Sequence, residues 1–175
     1  IATPALWLEP GRYIAGNAGV LLTTIESIKR EDGLTWLYVD ASTNIMPLLG
    51  AAIEGTHNHI LAATRMREPL QITADVVGPL CIPSVLRNDC VLPDVDAGDP
   101  IAILDAGMYA ESDSHQLNWI PRPATVMVRG DDVGLVRAAE TLDSIFDTQR
   151  IPSWLQGVNT LPSRYREKAI ANDQE

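Results

Sequence analysis

Val20-Leu21-Leu22-Thr23-Thr24-Ile25 and Thr35-Trp36-Leu37-Tyr38-Val39 stand on either side of the polar turn Glu31-Asp32-Gly33. Both runs are rich in apolar and β-branched residues, and an Asp-Gly pair between them supplies the backbone freedom that a tight hairpin turn needs. The stretch predicts a β-hairpin whose first strand continues to Lys29, and it sets a mainly β reading for the chain on both sides of it. Downstream, 59–63, 72–77, 100–104 and 125–128 are short apolar runs bounded by Gly, Pro or Asp, as in an all-β barrel or sandwich. A short helix is expected over 47–53. Another is expected over 133–146, where Val136, Ala139, Leu142 and Ile145 recur at helical spacing. After Ile151-Pro152-Ser153-Trp154-Leu155 the chain turns polar, and 163–175 reads as a tail.

Upstream of the hairpin, Ala5-Leu6-Trp7-Leu8 predicts one more strand, which ends in Glu9-Pro10-Gly11-Arg12-Tyr13. That places a carboxylate, a tight turn and a guanidinium together. Glu9 offers an acceptor to a protonated ring nitrogen, Gly11 lets the backbone approach an anion, and Arg12 supplies a positive fork for phosphate oxygens. A Pro-Gly turn with a surface ion pair would contain the same residues.

Bulk properties bound the function. The chain has 175 residues, 46% hydrophobic and 21% charged, enough for one core and a smaller satellite. A formal net charge of -10 argues against a nucleic-acid surface, which needs a basic field. The sequence shows neither a bilayer-length apolar run nor the basic-then-apolar start of a signal peptide, so a cytoplasmic protein without membrane contact is expected. Cys81 and Cys90 are too few for a disulfide scaffold, although a mutual bridge stays open on spacing. His57 and His59 suggest a metal pair by residue type, yet no third ligand follows at suitable spacing, and no metal is assigned.

Later motifs come in a telling order: Gly78-Pro79-Leu80-Cys81, then Ala97-Gly98-Asp99, then Asp105-Ala106-Gly107-Met108-Tyr109, then Arg122-Pro123-Ala124. Together with Glu-Pro-Gly-Arg at 9–12, this series resembles the C-terminal part of the decarboxylases of the diaminopimelate and ornithine decarboxylase family, which depend on pyridoxal 5′-phosphate (PLP). The likeness runs from about Leu6 to about Glu140. It implies an alanine-racemase-like decarboxylase: 1–17 would be the last strand and turn of a PLP-binding (β/α)8 barrel, 18–155 the C-terminal β-barrel or sandwich domain, and 156–175 a polar tail. The chain starts at Ile1 without Met, so the remainder of the barrel is expected elsewhere, on the same or a separate polypeptide. In the family that remainder carries the Schiff-base lysine, a ring-stacking histidine and a glycine-rich phosphate loop. The two lysines here, Lys29 in a strand-like run and Lys168 in the tail, match none of these positions.

The resemblance also implies roles. Glu9 would face the pyridine nitrogen, while Gly11, Arg12 and Tyr109 would hold the cofactor phosphate. Cys81 would reach the neighbouring subunit's site in a homodimer and protonate the carbon that CO2 leaves. From composition alone Cys81 reads as a small buried hydrophobe and Tyr109 as a half-buried tyrosine. Cys90 matches no family position and is read as structural, and Arg122 is expected to pair with a carboxylate or cap a strand.

Departures from the family pattern point to the substrate. With Pro47 as anchor, Met46 and Gly50 stand where diaminopimelate decarboxylases have a substrate-binding arginine and tyrosine, and Ile82 replaces the acid that follows the cysteine. Loss of the carboxylate clamp and of the ammonium partner implies an amino acid whose distal end is apolar, neutral or masked. Two rival readings are a catalytically inactive decarboxylase-like binding or regulatory subunit, and a racemase of related architecture.

Overall fold

The computed structural model describes residues 4–47, 58–81 and 84–155. The chain divides into two compact units, Ile1–Glu140 and Thr141–Glu175. In the first, the described strands are β1 (Leu21–Glu31), β2 (Leu34–Val39), β3 (Ile60–Ala62), β4 (Ile72–Val77), β5 (Val85–Leu92), β6 (Pro100–Ile103), β7 (Thr125–Arg129) and β8 (Asp132–Arg137). Six of them make one sheet in the order β3-β6-β1-β2-β4-β5, and β7-β8 form a separate hairpin. The pairing is antiparallel except between β2 and β4. β3 and β5, at the two ends of that order, also touch, so the sheet is a nearly closed barrel.

The β1-β2 hairpin forms as its sequence predicts. Asp32 and Gly33 both take positive φ, 51° and 79°, and Glu31 pairs with Leu34 across this two-residue turn. That backbone twist matches the twist of the flanking strands. The runs read at 59–63, 72–77, 100–104 and 125–128 become β3, β4, β6 and β7. Alternating side chains point inward along β2 and β4, where Leu37, Val39, Ala74 and Val76 are buried. They join Ile25, Leu92, Val95, Ile101 and Ile103 in one apolar core.

Three elements depart from the sequence reading. β5 has no counterpart there because Arg87-Asn88-Asp89 interrupts its apolar pattern. The structure accommodates the interruption with a bulge: the β4-β5 register shifts between Ala74 and Val76, Asp89 takes a φ of 52°, and its amide donates to the Asp75 carboxylate at 2.9 Å. The helix expected over 133–146 is corrected in its first half, which is β8. Gly130 at φ 60° turns the chain, and Arg129 pairs with Asp132. Among the described residues of the second unit, α-helix forms over Leu142–Phe146, after Thr141 and Ser144 cap each other reciprocally, and a 3-10 turn over Ser153–Leu155.

The strand expected at 5–8 is also not formed. Residues 4–11 belong to no strand, and Leu6, Trp7 and Leu8 are exposed. A strand exists through hydrogen bonds to a neighbour, and no ladder joins this segment to another described one. The helix read at 47–53 lies, from 48 on, outside the described residues, as do His57 and the tail. Among the described residues no helix is long and apolar enough to cross a membrane.

Candidate cofactor and catalytic site

Gly11 ends the extended lead-in, and α1 (Arg12–Ala15) with a 3-10 turn (Gly16–Ala18) follows it. This turn is clamped to the segment after β6. Ala106 N–H donates to Gly19 O at 2.9 Å, and Gly107 N–H donates to Gly16 O at 2.8 Å. The clamp requires glycine: a Cβ on Gly107 would lie 1.9 Å from Ala15 O, and one on Gly19 would lie 2.5 Å from the Gly107 backbone. Asn58, itself buried, holds the same segment from the other side by donating to Leu104 O at 2.6 Å and Asp105 O at 3.2 Å.

The clamp delivers Tyr109 to Arg12. The guanidinium carbon sits 5.9 Å from the ring centroid, a cation-π contact worth about 0.5–1 kcal/mol at an exposed site. The Tyr109 hydroxyl lies 3.3 Å from the point a Gly11 Cβ would occupy. Tyr109 is 45% exposed and takes the left-handed conformation at φ 61°, from which α2 (Ala110–Asp113) starts. Strained, non-glycine backbone of this kind gathers at functional positions. Arg12, Met46, Asn58, Met108, Tyr109 and Ala110 line a small cleft at this corner, and Arg12 is the one charged residue among them. Sequence reasoning missed Asn58 and Met108 as lining residues, and it missed the paired clamp of Gly19 and Gly107.

Below Tyr109, α2 is tied down by ions. The Glu111 carboxylate accepts from Thr125 Oγ1 at 2.8 Å and Arg137 Nε at 2.7 Å, and these bonds hold its carboxyl below the usual range. Arg122 pairs with a carboxylate as expected. Glu140 accepts from its Nε at 2.8 Å, its backbone N–H at 2.9 Å and Gln116 Nε2 at 2.8 Å. The bonds from Arg122 push the Glu140 carboxyl down to about 2.

Cys81 sits on a different loop and, contrary to a buried-hydrophobe reading, is exposed. Gly78 allows the loop to pass close over Ala41 and Ser42, where a Cβ would meet Ala41 O at 2.5 Å. Ser84 closes the loop: its hydroxyl reaches Gly78 O at 2.9 Å and Leu80 O at 3.1 Å. Both cysteines are free thiols. Cys90 is 6% exposed in the core, and burial pushes its thiol up to about 11, which agrees with a structural role. The structure gathers Gly11, Arg12 and Tyr109, and neither Glu9 nor Cys81 is among the residues that line the cleft. His59 is exposed, and no group of three or more metal-ligating side chains converges among the described residues.

The nearly closed β-barrel is the architecture of a C-terminal sheet domain. The family model described as pyridoxal-dependent decarboxylase, C-terminal sheet domain, matches residues 12–107, and the chain belongs to this family. It is 39% identical over 153 residues to the diaminopimelate decarboxylase of Archaeoglobus fulgidus, covering 87% of this chain and 36% of that protein. The Methanothermobacter thermautotrophicus enzyme of the same name is 40% identical over 156 residues, covering 89% and 36%. Among solved structures, diaminopimelate decarboxylase from M. jannaschii in complex with L-lysine superposes with a TM-score of 0.77 at 30% identity, covering 87% of this chain and 35% of the other. The chain thus spans about a third of the length of the relatives it matches.

Proposed function

We propose that this chain is the C-terminal part of a PLP-dependent amino-acid decarboxylase and supplies cofactor ligands and a proton-donating cysteine. The observation that carries this is the Gly11-Arg12-Tyr109 corner. A guanidinium and a phenol converge there beside a glycine, where a Cβ would stand 3.3 Å from the phenol oxygen. These residues fit the phosphate end of PLP: Gly11 allows close backbone approach, Arg12 provides charge, and the Tyr109 hydroxyl donates a hydrogen bond. Glu9 would hold a proton on the pyridine nitrogen. When bound, PLP supplies the sink for the electron pair released as CO2 departs. Cys81 then gives its proton to the vacated carbon: its S–H bond breaks, a C–H bond forms, and solvent reprotonates the sulfur. An exposed thiol on a loop separate from the phosphate corner suits a residue that acts in a neighbouring subunit's site of a homodimer.

The substrate reading follows the departures. The relatives are named for diaminopimelate, but Met46, 4% exposed, lines the cleft beside Arg12 and Tyr109, and it offers no clamp for a second carboxylate. Gly50 and Ile82 lie outside the described residues. An unpartnered charge in such a cleft is opposed by about 1–3 kcal/mol. The complete polypeptide should therefore decarboxylate amino acids with apolar, neutral or conjugated side chains in preference to diaminopimelate, lysine or ornithine. Values of kcat/KM across that panel test the reading. A preference for meso-diaminopimelate would overturn the substrate assignment, and no decarboxylation of any member would overturn the enzyme assignment.

A further inference from the structure

Among the described residues, Cys81 meets a polar side chain from outside its own loop. Asn118 Nδ2 lies 3.9 Å from Sγ, within hydrogen-bond reach for a large sulfur acceptor. Two loops distant in sequence meet there, and each is fastened on its own. The Cys81 loop is closed by Ser84, whose carbonyl also accepts from Gly78 N–H at 2.9 Å. The Asn118 loop is pinned at its start by Asn44, which is fully buried. His115 N–H donates to Asn44 O at 2.9 Å, and Asn44 Nδ2 donates to His115 O at 3.3 Å. Its far end is pinned by Glu140, which accepts from Gln116 and Arg122.

Between these pins the backbone is strained. Asn118 and Trp119 both take left-handed conformations, at φ 55° and 58°. A bulky residue in that region is a genuine outlier, and such outliers persist where the surroundings over-determine them. Asparagine and glycine are the residues that tolerate the conformation best. Glycine would meet the backbone requirement alone, whereas asparagine meets it and also presents an amide to the thiol.

We propose that Asn118 is a positioning residue for Cys81: its amide N–H, held by the left-handed turn, fixes the orientation of the thiol and stabilises the sulfur as its proton leaves. The proposal rests on the reading of Cys81 as proton donor. In the thiol form the amide occupies a sulfur lone pair, which leaves the S–H free to point at the substrate carbon. After transfer the S–H electron pair stays on sulfur, and the same N–H bond becomes charge-assisted and stronger. Asn118 therefore favours the state that follows transfer over the state that precedes it, which is the condition for speeding the step.

The test uses the complete, PLP-loaded polypeptide with Asn118→Gly, which keeps the backbone and removes the amide, and Asn118→Asp, which keeps the size and replaces the donor with a carboxylate. The kcat should fall about tenfold in the first variant and further in the second, with KM and PLP affinity unchanged. In a Cys81→Ala background neither change should lower kcat further. Cys81 is exposed in this chain, and its alkylation by iodoacetamide, followed at that residue by peptide mass spectrometry, should slow about tenfold in Asn118→Asp because a carboxylate opposes the thiolate. Additive losses in the double variant, or alkylation at the wild-type rate in Asn118→Asp, would overturn the proposal. Cys81→Ala at wild-type kcat would overturn the proton-donor reading itself. The alkylation arm separates the two failures because it does not depend on turnover.

Discussion

Around Gly11, Arg12 and Tyr109 the chain is held by backbone packing that leaves no space for a side chain at Gly19 or Gly107, whereas around Cys81 it is held by side-chain hydrogen bonds and a strained loop. In the proposed function the first corner would keep an anion at fixed distances, and the glycine clamp leaves its backbone little room to shift. The second corner would present a reactive hydrogen from a thiol on a fastened loop. The proposal thus assigns binding and proton delivery to two regions that different substitutions can damage separately.

The sharpest way to separate them is Gly107→Ala. A Cβ 1.9 Å from Ala15 O forces the 105–109 segment off the α1 turn, so a loss of about 3–5 kcal/mol of stability and of most PLP affinity is expected. Gly134→Ala, in β8 with nothing within 4 Å of the added carbon, should stay within about 0.5 kcal/mol in the same denaturant titration. Equal effects at the two glycines would break the idea of a clamp.

The cysteine corner should respond in the opposite sense. Cys81→Ala should lower kcat by about a hundredfold or more, the range for a positioned general acid, while PLP affinity and Tm hold. Cys90→Ala should leave kcat in place and remove about 1 kcal/mol of stability, because that thiol fills the core. Matching stability losses at both positions, with no specific fall in kcat, would make both cysteines mere packing residues.

A smaller, pH-dependent effect sharpens the same division. The Glu140 carboxyl is lowered to about 2 by its bonds from Arg122, while an unfolded glutamate titrates near about 4.3. Its stabilisation is fully present above the unfolded value and is lost as pH falls from there through the folded value. Glu140→Gln should destabilise the protein by about 1–2 kcal/mol near neutrality, and the difference should vanish towards about pH 2 in urea melts. A gap between variant and wild type that stays constant down to that pH would show that the ion pair contributes through packing alone.

How far the sequence could be read follows from what each feature depends on. The β1-β2 hairpin was legible because Asp32-Gly33 carries its turn chemistry locally. β5 was hidden by Arg87-Asn88-Asp89, whose polar bulge makes sense only beside Asp75. Val136, Ala139, Leu142 and Ile145 gave a helical spacing by coincidence, and the Gly130 turn that pairs β7 with β8 outweighed it. The residues of the phosphate corner could be named from resemblance, and the structure brings Gly11, Arg12 and Tyr109 together. The Gly19-Gly107 clamp and the Asn118-Cys81 contact were illegible, since each joins segments that meet only after the barrel closes.

The most direct test of the phosphate corner is PLP affinity in the complete polypeptide for Arg12→Ala, Tyr109→Phe and the double variant. Arg12→Ala should weaken PLP binding by about a hundredfold and Tyr109→Phe by about tenfold, the scale of a charged and a neutral hydrogen bond to phosphate. The double variant should fall short of the product of the two, because the guanidinium and the ring also contact each other. PLP bound at wild-type affinity by the double variant would contradict the assignment of this corner to the cofactor.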